Sequence, residues 1–354
     1  MASKRLSDIA SHIVSRPSSD SSEIPLPTYD ELPSFKDFPG CAWGVWGRDD
    51  QLGTVNLLTE AVVQRAATEE IRPIHFPEKP LFSRKTPEIN MKIKRPELGM
   101  PRDDEIHINT QSGSQWDGLR HIGLFDHGVF YNNTDAKSMR SGVVHIPDPN
   151  DIDPSLARIG IQNWAKHGIC GRGVFLDLVG YYTRNGGELP YDPWTTHPIT
   201  VAELETVAQH QGVEFRRGDI LLLRVGFIQK YYKETTAARQ ALSQRPETFA
   251  GIEQSENMKK FLWNNHFAAI ASDQPALECW PASRPQELLH QVCELFDLEE
   301  LSKTCAETGR YTFFFTSWPL NIIGGCASPP NAAVRQIISL LKLIADLIAR
   351  KAYF

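Results

Sequence analysis

Two short apolar runs constrain the fold of this chain more than any other feature. Val174-Phe175-Leu176-Asp177-Leu178-Val179 follows the turn Gly171-Arg172-Gly173, and Ile220-Leu221-Leu222-Leu223-Arg224-Val225 follows Arg217-Gly218-Asp219. Aliphatic runs of this length, bounded by turn residues, read as buried strands. A further strand is expected at Phe267-Ala268-Ala269-Ile270-Ala271, ending at Ser272-Asp273-Gln274-Pro275, and Tyr311 to Thr316 is aromatic and β-prone. Thr200-Val201-Ala202-Glu203 forms a capping box that opens a helix to about His210, closed by Gly212. Helical spacing also runs from Leu58 to Ile71 behind Thr59, and from Ala332 to about Arg350 behind Asn331 and two prolines. The face Val334, Ile337, Ile338, Leu341, Ile344, Leu347 and Ile348 of that last helix is expected to pack on the core or on a second subunit. Strand and helix signals alternate without a regular βαβ rhythm, and no repeat or clear linker divides them. The expectation is a mixed α/β fold in one domain over residues 39–354, preceded by a Ser-, Pro- and acid-rich tail or arm at 1–38.

Composition excludes several function classes. A formal charge of −6 over 354 residues argues against nucleic-acid binding through a basic surface. Hydrophobic residues at 41% and charged residues at 23% are ordinary globular usage, so a disordered chain is excluded. No stretch reaches the roughly 18 apolar residues of a membrane span, and the first twenty residues lack the apolar core of a signal peptide. The expected compartment is therefore cytoplasmic. Cys41, Cys170, Cys279, Cys293, Cys305 and Cys326 include no C-x-x-C pair, so they read as free thiols rather than a zinc site or a disulfide framework.

Functional groups are densest in Gln111-Ser112-Gly113-Ser114-Gln115-Trp116-Asp117-Gly118-Leu119-Arg120-His121. On a strand, Gln115 and Asp117 share a face, and a bend would bring Gln111 and His121 beside them. An Asp near a His orients the ring for general acid/base work, and the glycines would permit close substrate approach. The spacing alone fits a structural turn equally well. Trp46, Trp116, Phe130 and Tyr131 are candidate apolar walls for a hydrophobic substrate. Around Cys41-Ala42-Trp43-Gly44-Val45-Trp46-Gly47 a structural turn and a pocket wall remain equally open. Asp273 and Glu278 are further candidates whose direction the sequence does not fix.

The 111–121 segment resembles the H-x-x-x-H-x-D-x-x-x-H signature of the cyclase family that includes bacterial kynurenine formamidase and isatin hydrolase. Four other segments are similar to that family in the expected order. They are Trp46-Gly47-Arg48-Asp49-Asp50-Gln51-Leu52-Gly53-Thr54-Val55-Asn56, Gly171 to Asp177, Arg217 to Gly226, and Asn321-Ile322-Ile323-Gly324-Gly325 through Pro329. The resemblance implies a compact swivelling β/β/α-type fold, a mixed sheet or flattened barrel flanked by helices, assembled as a dimer or tetramer. It also implies chemistry on small cyclic or aromatic amides and lactones. In metal-dependent members the two leading His and the Asp bind zinc or manganese, and the last His shuttles protons. Carried over, the shuttle falls on His121 and the Asp on Asp117, while both histidine ligands fall on glutamines, Gln111 and Gln115. Neutral amides are poor zinc ligands. His290 and Glu294 stand where the family places a second pair of ligands, here four residues apart, a spacing that shares one face of a helix.

The first expectation is therefore an enzyme of secondary metabolism that needs no metal cofactor. It would use His121 as general acid/base and Asp117 as its orienter, with Gln111 and Gln115 donating to a substrate oxygen. The reaction would be ring closure, dehydration or isomerisation of a small oxygenated, aromatic or polyketide-like metabolite. The alternatives are a zinc- or manganese-dependent amide or lactone hydrolase, and a small-molecule binding protein without catalysis.

Overall fold

The computed structural model describes residues 79–283, except 147 and 149, together with 292–335. The expected 1–38 arm, the Leu58–Ile71 helix and the segment around Trp46 lie outside the described residues.

The architecture is mixed α/β. In chain order the strands are β1 (Glu88–Ile93), β2 (Arg102–His107), β3 (Gln115–Asp117), β4 (Val129–Phe130), β5 (Thr134–Asp135), β6 (Ile169–Asp177) and β7 (His197–Ile199). They continue with β8 (Ile220–Arg224), β9 (Ala250–Ile252), β10 (Ala269–Ser272), β11 (Val292–Glu294), β12 (Thr312–Ser317), β13 (Ala327–Ser328) and β14 (Ala332–Arg335). Eight of these form one sheet in the order β13-β3-β11-β10-β8-β6-β12-β14. Its centre, β11-β10-β8-β6, is parallel, and antiparallel strands flank it on both sides. β1 and β2 make a separate hairpin.

The central strands carry apolar residues on both faces because both sheet faces are covered. Leu221 and Leu223 of β8 pack with Val174, Leu176, Leu204, Val207, Met258 and Phe261, under the helices Val201–His210 and Glu256–Asn264. Ile220 and Leu222 point the other way, into a cluster with Trp116, Phe175, Phe296, Leu301 and Phe315. The expected capping box is present: the Thr200 hydroxyl accepts from the Glu203 amide, and the Glu203 carboxylate accepts from the Thr200 amide.

Three local expectations are corrected. Gly171-Arg172-Gly173 is not a turn but the body of β6, which pairs with β12. The ring of Phe313 lies across Gly173 where a side chain would stand, so the glycine makes room for an aromatic neighbour on the adjacent strand. The same strand stops at Asp177, whose carboxylate accepts from the Gly180 amide at 2.7 Å and starts the helix Leu178–Thr183. Finally, Ala332–Arg335 is strand rather than the first turn of a helix. It pairs antiparallel with β12, and Ala332 and Val334 alternate into the core. The remainder of that expected helix lies outside the described residues.

Where β6 and β8 end, Arg224 is almost fully buried. It donates to Asp177 at 2.9 Å, to Ser302 at 3.0 Å and bidentately to Glu299 at 2.7 and 2.8 Å. Arg224→Met strands two carboxylates in the interior and should cost about 3–5 kcal/mol in denaturant unfolding. Beside it, Asp273 is fully buried and accepts from the amides of Val225 and Gly226 at 2.7 and 2.8 Å. Burial pushes its carboxyl up to about 7, above its ordinary 3.8. The folded chain thus keeps a proton that the unfolded chain releases above about pH 4, so this group lowers stability as pH rises from about 4 to about 7. Unfolding free energies of wild type and Asp273→Asn should diverge over that window by about 4 kcal/mol in the variant's favour.

Candidate active site

β3 sets the site. It lies between β11 and β13, with Gln115 opposite Glu294 and Asp117 opposite Ala327. Residues on a strand alternate between faces, so Trp116 points away from Gln115 and Asp117. It is wholly buried against Trp164 and Phe296, and its indole N–H donates to Ser317 at 2.9 Å. The expectation that Trp116 walls the pocket is therefore corrected: it is a core residue.

On the other face, Gln111, Gln115, Asp117, His121 and Glu294 form one cluster. The Gln115 amide donates to Glu294 at 2.5 Å and to Asp117 at 3.4 Å, bridging the two carboxyls. The Gln111 amide donates to Asp117 at 2.8 Å and lies 2.9 and 3.0 Å from the two ring nitrogens of His121. Asp117 itself stays 3.8 Å from the ring, beyond a hydrogen bond. Gln111, not Asp117, is thus the group within hydrogen-bond reach of His121, and the carboxylate acts on the ring by its charge across 3.8 Å. Gln111 and Gln115 direct these N–H groups at protein carboxyls rather than at a substrate oxygen, which corrects the role expected for them.

Burial raises both carboxyls above their ordinary range. Glu294 is raised much further, because the charge of Asp117 adds to its burial. Asp117 is drawn back by His121, by the cation of Arg84 and by both glutamine amides. Of the two, Glu294 is pushed further toward its protonated form. The His121 side chain remains 27% exposed, so its ring is open to a ligand.

The surroundings fix this geometry. The Ser114 hydroxyl donates to the Leu295 carbonyl at 2.5 Å, tying the loop before β3 to the end of β11. Arg120, buried next to His121, donates to the carbonyls of Ser155, Arg158 and Gly324 at 2.8–2.9 Å. Gly118 admits no side chain: its amide donates to the Cys326 carbonyl at 2.8 Å, and that oxygen stands 2.9 Å from where a Cβ would be. Here the glycine serves the approach of another backbone, not of a substrate. Phe130 lies over Gly123, two residues beyond His121, while Tyr131 is largely exposed. Trp46 and His290 lie outside the described residues. Glu294 belongs to a strand rather than to the helix expected for it. Asp273 serves the backbone turn after β8, and Glu278, buried, adds to the negative surroundings of Glu294. Sequence reasoning missed Arg84, which sits in an unremarkable Phe-Ser-Arg-Lys stretch with no motif around it.

The Cyclase family model matches residues 28–279, some seven-tenths of the chain. The chain belongs to the cyclase family. A crystal structure of a cyclase from that group is 28% identical and superposes with a TM-score of 0.59, covering 83% of this chain and 99% of its own. Isatin hydrolase A from Labrenzia aggregata, 13% identical, shares the fold with a TM-score of 0.51, covering 80% of this chain and 100% of its own. No curated protein matches the chain.

Within this family the site departs from a metal centre in its donors. Among the described residues no three His, Cys, Asp or Glu side chains are grouped to hold a metal. The carboxyl oxygens that a cation would need accept hydrogen bonds from glutamine amides instead. This donor set does not fit zinc or manganese. Gln115→Leu should destabilise the fold by about 1–3 kcal/mol, the worth of hydrogen bonds to charged groups. Because both carboxyls are already raised, the deficit should widen as pH rises and ionises them, which urea unfolding from pH 5 to pH 8 would reveal.

Proposed function

We propose that this cyclase-family protein is an enzyme that uses His121 for proton transfer, without a metal, in ring closure, dehydration or isomerisation of a small oxygenated metabolite. The observation that carries this reading is the inward turn of Gln111 and Gln115. Both amides are engaged by Asp117 and Glu294, while the His121 ring keeps an open face. Hydrolysis of an amide at neutral pH ordinarily draws on a metal-bound hydroxide, and these residues do not build the site for one. Proton abstraction next to a carbonyl, followed by return of a proton to a leaving hydroxyl, needs only a placed acid/base and polar anchors.

In this scheme the His121 ring takes a proton from an acidic C–H or O–H of the substrate. The negative charge of Asp117, 3.8 Å from the ring, favours the imidazolium that results. Delivery of that proton to a departing hydroxyl gives water and an unsaturated product, while return to another substrate atom gives isomerisation or closure. The neutral carboxyl of Glu294 avoids a second negative charge beside Asp117. Phe130 supplies an apolar border, and an aromatic or polyketide-like substrate suits it.

The test is elemental analysis of untagged protein, followed by a screen of oxygenated aromatic and polyketide-like metabolites before and after chelation. The expected result is no stoichiometric metal, turnover unaffected by chelator, and a loss of about 10²–10⁴-fold in kcat for His121→Ala. Near one equivalent of zinc or manganese, lost together with Asp117, would instead establish the metal-dependent hydrolase. Turnover surviving in His121→Ala would remove His121 from the proton-transfer role.

A further inference from the structure

We propose that Arg84 is the anion-holding residue of this site and that the substrate presents a carboxylate to it. The proposal rests on the preceding reading of the His121 cluster as a substrate site and adds the chemical class of what enters it.

Arg84 is half-buried and belongs to the site through Gln111. Its Nη1 donates to the Gln111 carbonyl at 2.7 Å, and its guanidinium lies over the Phe82 ring at 5.0 Å. The amide of that same Gln111 holds Asp117 and His121. The cation and the proton-transferring ring are therefore held by the two ends of one residue. Its charge acts on both Asp117 and Glu294. Among the described residues, however, Arg84 forms no ion pair with either acid; their hydrogen bonds come from glutamines. The rest of its planar fork of donors has no protein partner among the described residues, and that fork matches a carboxylate bidentately.

The backbone that carries Arg84 is strained. Phe82 and Ser83, neither of them glycine, have φ of 56° and 55°. Their turn is closed by the Arg84 amide on the Leu81 carbonyl at 3.2 Å. Left-handed φ is unfavourable for an aromatic residue and persists only where surrounding contacts enforce it. Those contacts are present. The Phe82 amide donates to Glu247 at 2.5 Å, its ring packs edge-on to Phe249 and Trp280, and Leu81 is buried. A surface arginine needs no such scaffold. The anchored turn fixes the guanidinium beside the cluster before any ligand arrives, which is how a site limits the ordering cost of binding.

The experiment uses the full chain and two probes of nearly equal shape, benzoate and benzamide, titrated by calorimetry. Wild type should bind benzoate about tenfold or more tightly than benzamide, with affinity falling as salt is raised. Arg84→Gln should abolish the preference, and Arg84→Lys should retain part of it, keeping the charge without the fork. Should Arg84→Gln fail to fold, the benzoate preference and salt dependence of wild type decide alone. Equal affinity for the two probes, no detectable binding of benzoate, or a preference that survives in Arg84→Gln overturns the proposal. Failure of the acid/base reading would thus appear as turnover without His121, and failure of this one as lost discrimination between the probes.

Discussion

Two carboxyl groups buried beside one another repel and lose hydration together, and the site depends on how Gln115 resolves this. Its amide donates to Asp117 and to Glu294 at once. Burial beside the charge of Asp117 raises the Glu294 carboxyl well above its ordinary range. Asp117, raised by burial too, is drawn back because Gln111 donates to it from the other side and Arg84 stands near. The arrangement sets two like carboxyls apart. Environment alone makes the difference, since each is a carboxyl on a strand of the same sheet.

The sheet is what places these groups within reach. β11 is parallel to β10, while β3 runs antiparallel to it and puts Gln115 directly opposite Glu294. A slip of one residue in that register would turn Gln115 and Asp117 into the core and bring Trp116 out. Trp116, packed on Trp164 and Phe296 and bonded to Ser317, works against such a slip. The aromatic residue that looks like a pocket wall in the sequence thus acts on the site from behind, by pinning the strand. Arg120 and Gly118 do the same for the chain beyond β3, binding it to carbonyls of Ser155, Arg158, Gly324 and Cys326.

The central strands and the capped helix were legible because their signals are local. Aliphatic runs and a Thr-x-x-Glu box need no partner to be recognised. The four residues from Gln111 to His121 were legible as a group for the same reason. What they bond to was not, because Glu294 and Arg84 arrive from 179 residues downstream and 27 residues upstream. Gly171 and Gly173 were misread as a turn because the sequence cannot show the ring of Phe313 crossing from another strand. Ala332–Arg335 carries a helix cap and helical spacing, yet pairing with β12 overrides both. Local propensity loses wherever a neighbouring strand offers a ladder of hydrogen bonds and a buried face.

The exchange of imidazole for amide at 111 and 115 changes more than affinity for a cation. A histidine pair facing Asp117 and Glu294 would offer each carboxyl at most one N–H per neutral ring and keep a lone pair on the other nitrogen for a cation. A glutamine pair presents N–H groups to the same oxygens, and the assembly closes on itself. Closure leaves two polar groups at the edge of the cluster, the partly exposed ring of His121 and the donors of Arg84 that no described residue accepts. One can move a proton and the other can hold a negative oxygen. Their shared attachment to Gln111 couples them, since any shift in that side chain moves the ring relative to the guanidinium. A site built this way is set up for chemistry in which charge on the substrate and the position of its proton are controlled together.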